Sequence, residues 1–353
     1  MQTICVLFGG VSPEHDISLR SAEAVLRNMK TENRTILPVG ITKEGQWLLF
    51  GGKDYSELGN GSWKENPANR TAFLSPVKGM GLCIVNSEGK AETVKVDVVF
   101  PVLHGENGED GTIQGLFTLA GIPYVGCGVL ASAAAMDKSA TKLMAATTGV
   151  KQADWLVLRR RDFKTDADTM CKAVTEKLCY PVFIKPCSTG SSVGVSKAKN
   201  TEELLAALEN AFRFDEKVLA EAFINGKEVE VAVMGNYEPV AATPGEIDAG
   251  AEFYDFETKY VTTTSTPYIP ARVPAQTLSA VQDWAVKIYR ALGCKGLSRV
   301  DFFVTRDTGE IVFNEINTLP GFTSISMYPK MFAADGVDFP ELIERVIALA
   351  LED

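Results

Sequence analysis

The sequence has little that points to a zinc centre, a membrane or a nucleic acid. It carries only 2 histidines, and its 7 cysteines include no C-x-x-C pair, which argues against a Cys/His zinc site. The thiols (Cys5, Cys83, Cys127, Cys171, Cys179, Cys187 and Cys294) are odd in number and scattered. A reducing, cytoplasmic setting is therefore expected. No run of about 18 apolar residues occurs, so no membrane helix is expected. The opening "MQTICVLFGG" lacks a charged leader and runs straight into a strand pattern. Positive charge is in deficit, 35 Lys and Arg against 45 Asp and Glu, for a net charge of −10. That balance disfavours nucleic acid or an anionic membrane surface as the main partner. Two common nucleotide signatures are missing as well. No G-x-x-x-x-G-K-[ST] occurs, and "FGGVSP" is not the G-x-G-x-x-G of a dinucleotide fold.

What is there is an ordinary globular composition, 353 residues at 46% hydrophobic and 23% charged, long enough for two or three domains with a large core. "TICVLFGG" reads as a strand, "DISLRSAEAVLRNM" as a helix with apolar positions 17, 19, 22, 25, 26 and 29, and "KVDVVFPVLHG" as a second strand. "TIQGLFTLAGI" then reads as a helix and "PYVGC" as a strand. This alternation implies an α/β fold with an N-terminal parallel α/β domain. Residues 43–95, richer in Gly, Asn and Lys, read as weak strands and loops that decorate it. "VLASAAAMDKSATKLMAATTG" reads as one helix stopped by Gly149, and "NTEELLAALENAF" as a helix with Asn200 and Glu203 as its capping pair. "VLAEAFINGKEVEVAVM" reads as two strands around Asn225-Gly226. A helix stopped by Gly293 and a terminal helix "FPELIERVIALAL" follow.

Chemistry concentrates in a few stretches. In "SRVDFFVTRDTGEIVFNEINTLPGFTS", residues 300–305 and 310–316 read as a hairpin turning at "RDTG". Centred on Thr308, it sets Asp301 directly opposite Glu315, with Asn317 on the same face. Like charges at that spacing destabilise a sheet. A solvated hairpin face is one reading. Apolar Phe302, Val304, Phe313 and Ile316 favour the other, a Mg²⁺ site built from hard oxygen ligands. In "FIKPCSTGSSVGVSK", Lys185 follows a strand, and a loop with Ser191 and Ser192 can wrap phosphates with backbone N–H groups. Lys138 in "MDKSATK" is a second phosphate candidate. Glu14 opens a helix, where it complements the dipole or does more. His104 ends a strand, as a ligand contact or as a structural histidine. "EFYDFETKYVTTTSTPY" combines acids, a lysine and five aromatic rings, and reads as a lid or an insertion, its aromatics favouring a lid.

Taken in order, "FGGVSPEHDISLRSA", "FPVLHGENGEDGTIQG", "MDKSATK", "FIKPCSTGSSVGVSK", "FYDFETKY", "SRVDFF" and "NEINTLPGFTS" resemble the D-alanine–D-alanine ligase family, close to its vancomycin-resistance members that make D-Ala-D-Ser or D-Ala-D-lactate. The resemblance spans nearly the whole chain. It implies a three-domain ATP-grasp fold: a substrate-binding domain over 1–127, a central domain over 128–220 and a C-terminal domain over 221–353 with a lid at about 248–268. It implies ATP-dependent joining of two D-alanines for peptidoglycan precursors, with D-alanine–D-serine ligation as the alternative, and a homodimer.

The resemblance also implies site roles. Lys138, Lys185, Ser191, Ser192 and Lys259 fall at ATP, and Glu221, Phe223, Ile224 and Glu228 where adenine and ribose are held. Asp301, Glu315 and Asn317 match ligands for Mg²⁺ or Mn²⁺, two ions in all. Arg299 and the N–H of Gly321 would steady an oxyanion. Glu14, with His104 nearby, would anchor the first substrate's ammonium. Ser191 and Tyr260 would join Glu14 in a hydrogen-bond chain tying the lid shut. Lys259, Ser326 and Met327 would lie near the second substrate. "KPCSTG" departs from commoner versions carrying an Arg and a Glu.

Overall fold

The computed structural model describes residues 1–86, 88–248 and 266–352. Three β-sheets make up its frame. The first has seven strands in the spatial order Ala91–Val94, Leu82–Val85, Arg70–Leu74, Trp47–Leu49, Arg34–Ile41, Gln2–Gly9 and Val98–Leu103. Gln2–Gly9 runs parallel to both of its neighbours. Its burial is nearly continuous, as expected of a strand covered on both faces. The stretch after Lys43 does more than decorate. Its four short strands extend the same sheet in antiparallel pairings, which tight connections permit where a parallel strand needs a crossover.

The structure corrects two expectations made from apolar pattern alone. "PYVGC" contributes only a bridge between Tyr124 and Val99, not a strand. The segment expected as one helix is two, Val129–Met136 and Lys138–Ala146. Asp137 breaks it: its backbone is extended and its carboxylate accepts from the N–H groups of Ser139 and Ala140. An aspartate N-cap stabilises a new helix start more than it continues an old one. The Asn200 cap is present as expected. Its side chain accepts from Glu203 N at 2.9 Å while Glu203 takes Lys199 N at 2.8 Å.

The second sheet is antiparallel, in the order Ser196–Ala198, Val182–Pro186, Lys217–Ala222 and Trp155–Arg159. The third has Gly226–Met234 and Leu297–Thr305 at its centre, flanked by Gly245–Asp248 on one side and Ile311–Asn317 on the other. The two strands around Asn225-Gly226 are therefore not a hairpin. Lys217–Ala222 belongs to the second sheet and Gly226–Met234 to the third, and residues 223–225 carry the chain across.

Apolar packing ties the sheets together. Helix Phe339–Ala350 buries Leu342, Ile343, Val346 and Ile347 in the cluster that holds Val6, Phe8, Val25 and Phe100 of the first sheet's layer and Phe322. The C-terminus of the chain thus completes the core of its N-terminus. On the third sheet, helix Ala275–Ala291 covers Val229, Val231, Val300, Phe302 and Phe313. Tyr289 of that helix is fully buried and donates its hydroxyl to Gly235 O at 2.7 Å. Tyr289→Phe leaves that carbonyl without its partner, so unfolding in urea should show a loss of about 1–3 kcal/mol with an unchanged m-value.

Candidate active site

The second and third sheets face each other across a cleft of about 510 Å³. Lys138, Lys185, Ser191, Ser192, Glu221, Phe223, Ile224, Glu228, Glu315 and Asn317 all line it. Of the remaining candidates, Lys259 and Tyr260, with most of the expected lid, lie outside the described residues. Arg299, Asp301, Gly321, Ser326 and Met327 are not part of its wall.

On the central sheet, Lys185 reaches from strand Val182–Pro186 to Glu221 Oε2 at 2.5 Å. The other oxygen of Glu221 contacts the ammonium of Lys142. Burial works against charge on Glu221, but Lys185 and Lys142 outweigh it and hold the carboxyl at about 2. Burial likewise opposes charge on Lys185, yet Glu221, with Glu315 and Glu228 beyond, pushes its pKa up. The cation at the floor of the cleft is thus locked in its charged form. Lys138 donates its ammonium to Thr189 O at 2.7 Å, and its backbone N–H donates to Cys187 O at 3.0 Å. Helix Lys138–Ala146 is thereby fastened to the serine loop. The rings of Phe183 and Phe223 lie 6.1 Å apart, with the Lys197 ammonium 4.2 Å from the Phe223 centroid.

The loop meets the first sheet at Glu14. Ser191 donates its hydroxyl to Glu14 Oε1. Both Ser191 (φ 47°) and Ser192 (φ 60°) are left-handed, a conformation that non-glycine residues adopt at a cost and that gathers at functional loops. Glu14 is threaded between two glycines. A Cβ on Gly105 would stand 2.5 Å from its Oε2, and one on Gly190 would stand 2.7 Å from it. Behind it, His104 is buried, with Nε2 3.2 Å from Ser21 Oγ and Nδ1 3.5 Å from Glu109 Oε1. Burial opposes charge on His104, but Glu109 and Glu14 prevail and raise its pKa. Burial, assisted by Glu14, raises the Glu109 carboxyl against the pull of His104.

On the third sheet the hairpin has the expected pairing, Asp301 opposite Glu315 and Arg299 opposite Asn317. A bulge produces it. Nearer the turn Phe302 pairs with Phe313, and the extra residue, Asn314, shifts the register by one between Asp301 and Phe302. Without it, Asp301 would face Asn314. Asp301 is fully buried and accepts from Arg299 at 2.8 and 2.6 Å and from Asn317 Nδ2 at 3.1 Å. Arg299 also reaches Glu230 at 3.3 Å. Among the described residues no three His, Cys, Asp or Glu side chains converge as a metal site. The candidate set is two carboxylates and an amide, all hard oxygen donors, and this chemistry fits Mg²⁺. Fit requires Asn317 to present its oxygen where its nitrogen now meets Asp301.

Ser326 shares its hydroxyl with Thr323 Oγ1 at 2.7 Å, and a Cβ on Gly321 would lie 3.1 Å from Ser326 Oγ. Met327 turns its methyl onto Gly245, where a Cβ would stand 2.2 Å away, next to Ile269 and Met331. Lys142, Glu109 and Glu230 were not singled out from the sequence. Lys142 had one available signal, its position four residues after Lys138, which sets both on one helix face. Glu109 lay inside "HGENGEDG" with nothing to mark it from its acidic neighbours.

The glycine cradle generates a test. Gly190→Ala crowds Glu14 away from Ser191 without demanding a forbidden φ, so turnover should fall by about a hundredfold while the melting temperature stays near that of the parent. Steady-state kinetics and a melting curve on the same sample check it.

Residues 3–127 match the family model described as "D-ala D-ala ligase N-terminus", and residues 144–348 match "D-ala D-ala ligase C-terminus". A relative named D-alanine–D-alanine ligase from Acetivibrio thermocellus is 48% identical, with 99% of this chain and 96% of that protein covered. One of the same name from Caldicellulosiruptor bescii is 46% identical, with 99% and 95% covered. Among solved structures, the VanG D-Ala:D-Ser ligase of Enterococcus faecalis has a TM-score of 0.90 at 41% identity, over 99% of both chains. The D-alanine-D-alanine ligase of Coxiella burnetii has a TM-score of 0.85 at 32% identity, over 99% of this chain and 93% of that one. The chain has the ATP-grasp fold and belongs to the D-alanine–D-alanine ligase family of ATP-dependent ligases.

Proposed function

We propose that this protein joins two D-alanines into D-alanyl-D-alanine at the expense of ATP, as a cytoplasmic enzyme of peptidoglycan precursor synthesis that works as a homodimer. The observation that carries the reading is the opposition of charges across one cleft, with Lys138 and Lys185 on the central sheet side and Glu315 and Asn317 on the hairpin. A triphosphate satisfies the lysines, and a divalent cation between it and Glu315 and Asn317 would satisfy the opposite wall. The cytoplasmic setting has support in the free thiols of all seven cysteines. Among the described residues no helix is long and apolar enough to cross a membrane.

In this reading the first D-alanine places its ammonium at Glu14, and its carboxylate attacks the γ-phosphorus of ATP. The bond from that phosphorus to the β,γ-bridging oxygen breaks, and ADP leaves. The acyl phosphate so formed has a good leaving group, which a free carboxylate lacks. The second D-alanine attacks its carbonyl as a neutral amine, and phosphate departs from the tetrahedral adduct as the amine nitrogen gives up its extra proton to the phosphate. Lys138 and Lys185 face the phosphates, while Phe223, Ile224 and Glu228 face the base and ribose. Arg299 and the N–H of Gly321 face the oxyanion, and Lys259, Ser326 and Met327 lie toward the second substrate. Ser191 and Tyr260 join Glu14 in holding the site closed against water. Asp301, Glu315 and Asn317 would hold a magnesium ion, which would supply positive charge next to the phosphoryl oxygens. No nucleophilic side chain is needed, and positioning and electrostatics suffice. Residues 1–127 would supply the first-substrate site, and 128–220 and 221–353 the two halves of the nucleotide site.

A second reading, D-alanine–D-serine ligation, has one specific support, the VanG likeness. The D-alanine–D-alanine relatives are more similar in sequence. Met327 adds an apolar side chain whose thioether compensates a serine hydroxyl poorly, although its methyl already packs on Gly245.

Two experiments test the proposal. With ATP, Mg²⁺ and equal D-alanine and D-serine, mass analysis should find mostly D-Ala-D-Ala, since an apolar pocket disfavours an added hydroxyl by up to about a hundredfold. Mostly D-Ala-D-Ser would favour the second reading, and no dipeptide would remove both. Separately, Glu315→Gln should raise the Mg²⁺ concentration for half-maximal turnover by about tenfold or more. An unchanged Mg²⁺ dependence would return the hairpin to a purely structural role.

A further inference from the structure

The buried carboxylate of Glu221 has a lysine on each oxygen, and the two lysines differ in where they can go. Lys185 lines the cleft. Lys142, on helix Lys138–Ala146, is 2% exposed and not part of the cleft wall. Among the described residues its ammonium has Glu221 as its ion-pair partner. A nucleotide that enters the cleft can therefore draw on Lys185 but not on Lys142.

We propose that Lys142 is a positioning residue of the nucleotide site, a reserve counter-ion that keeps Glu221 paired when Lys185 turns from it to the ATP phosphates. The inference rests on the reading of Lys185 as a phosphate ligand. The physical reason is the cost of stranding a charge. Glu221 is 4% exposed, and a carboxylate left alone at such a site is strongly destabilising. With Lys142 present, Lys185 can leave Glu221 Oε2 while Oε1 keeps its cation. Without Lys142, Lys185 becomes the sole partner, and each ATP that recruits it must orphan the carboxylate. Glu315 and Glu228 also pull on Lys185. A magnesium ion held at Glu315 would weaken that pull and leave Glu221 as the principal brake.

The mechanism makes the effect of Lys142 conditional on the charge of Glu221, and a double-mutant cycle reads that directly. Lys142→Met, with ATP and D-alanine varied in turn, should raise the KM for ATP by about tenfold or more and leave the KM for D-alanine within about twofold. Lys142→Arg should restore most of the ATP affinity. In a Glu221→Gln background, whatever that change costs by itself, adding Lys142→Met should cost less than about twofold more. An equal cost in both backgrounds, or equal changes in the two KM values, would overturn the proposal and leave Lys142 a structural lysine. If Lys142→Met does not fold, Lys142→Gln keeps a neutral donor beside Glu221 and runs through the same cycle with the same expectations. Lys185→Ala is the control. If it leaves ATP affinity unchanged, the phosphate reading itself fails. If it weakens ATP while Lys142→Met does not, the reserve counter-ion alone falls.

Discussion

Charges buried in and behind the walls of the cleft must be paired, and this one constraint organises the rest of the site. Moving an ion out of water costs several kcal/mol even after relaxation, so each buried carboxylate here sits among cations. Glu221 has Lys185 and Lys142. Asp301 has Arg299, which also serves Glu230. These arrangements come from different elements: a helix and two strands around Glu221, and two paired strands around Asp301. The backbone cannot drift without breaking them, so electrostatic pairing holds together the elements around each carboxylate.

The same logic joins the N-terminal layer to the cleft. Glu14 precedes the helix that follows the first strand, yet it bonds a serine in a loop of the central sheet. It reaches that serine because Gly105 and Gly190 leave room for it. The apolar counterpart is the cluster in which Val6 and Phe8 pack with Ile343 and Ile347. Chain ends far apart in sequence thus share one core. The arrangement suits a reaction in which one substrate is held by the first layer and the nucleotide by the other two. Small residues and apolar burial fix the spacing between layers, and the charged groups then act at set distances.

Much of this was legible in the chain itself. Period-two apolar residues marked the hairpin, and the opposition of Asp301 and Glu315 suggested a site before any coordinates. The Asn200 cap and the glycine stops at Gly149 and Gly293 were readable because they are local, each needing only a few residues to satisfy a backbone group. A regular turn centred on Thr308 predicts the register of Asp301, but the molecule reaches that register with a bulge at Asn314. Local pattern is also not enough at Asp137, where a capping carboxylate divides an otherwise continuous helical stretch.

The sequence by itself determined most of the elements, the α/β alternation and the residue types that mark an ATP-dependent ligase, because propensity, capping and motif chemistry act over short spans. Only the tertiary structure decided that Lys217–Ala222 and Gly226–Met234 join different sheets, that Lys142 meets Glu221, and that Ser191 meets Glu14. Those pairings link residues by the closing of long loops, and their energy comes from burial. Burial is a property of the packed molecule, and no local window of sequence contains it.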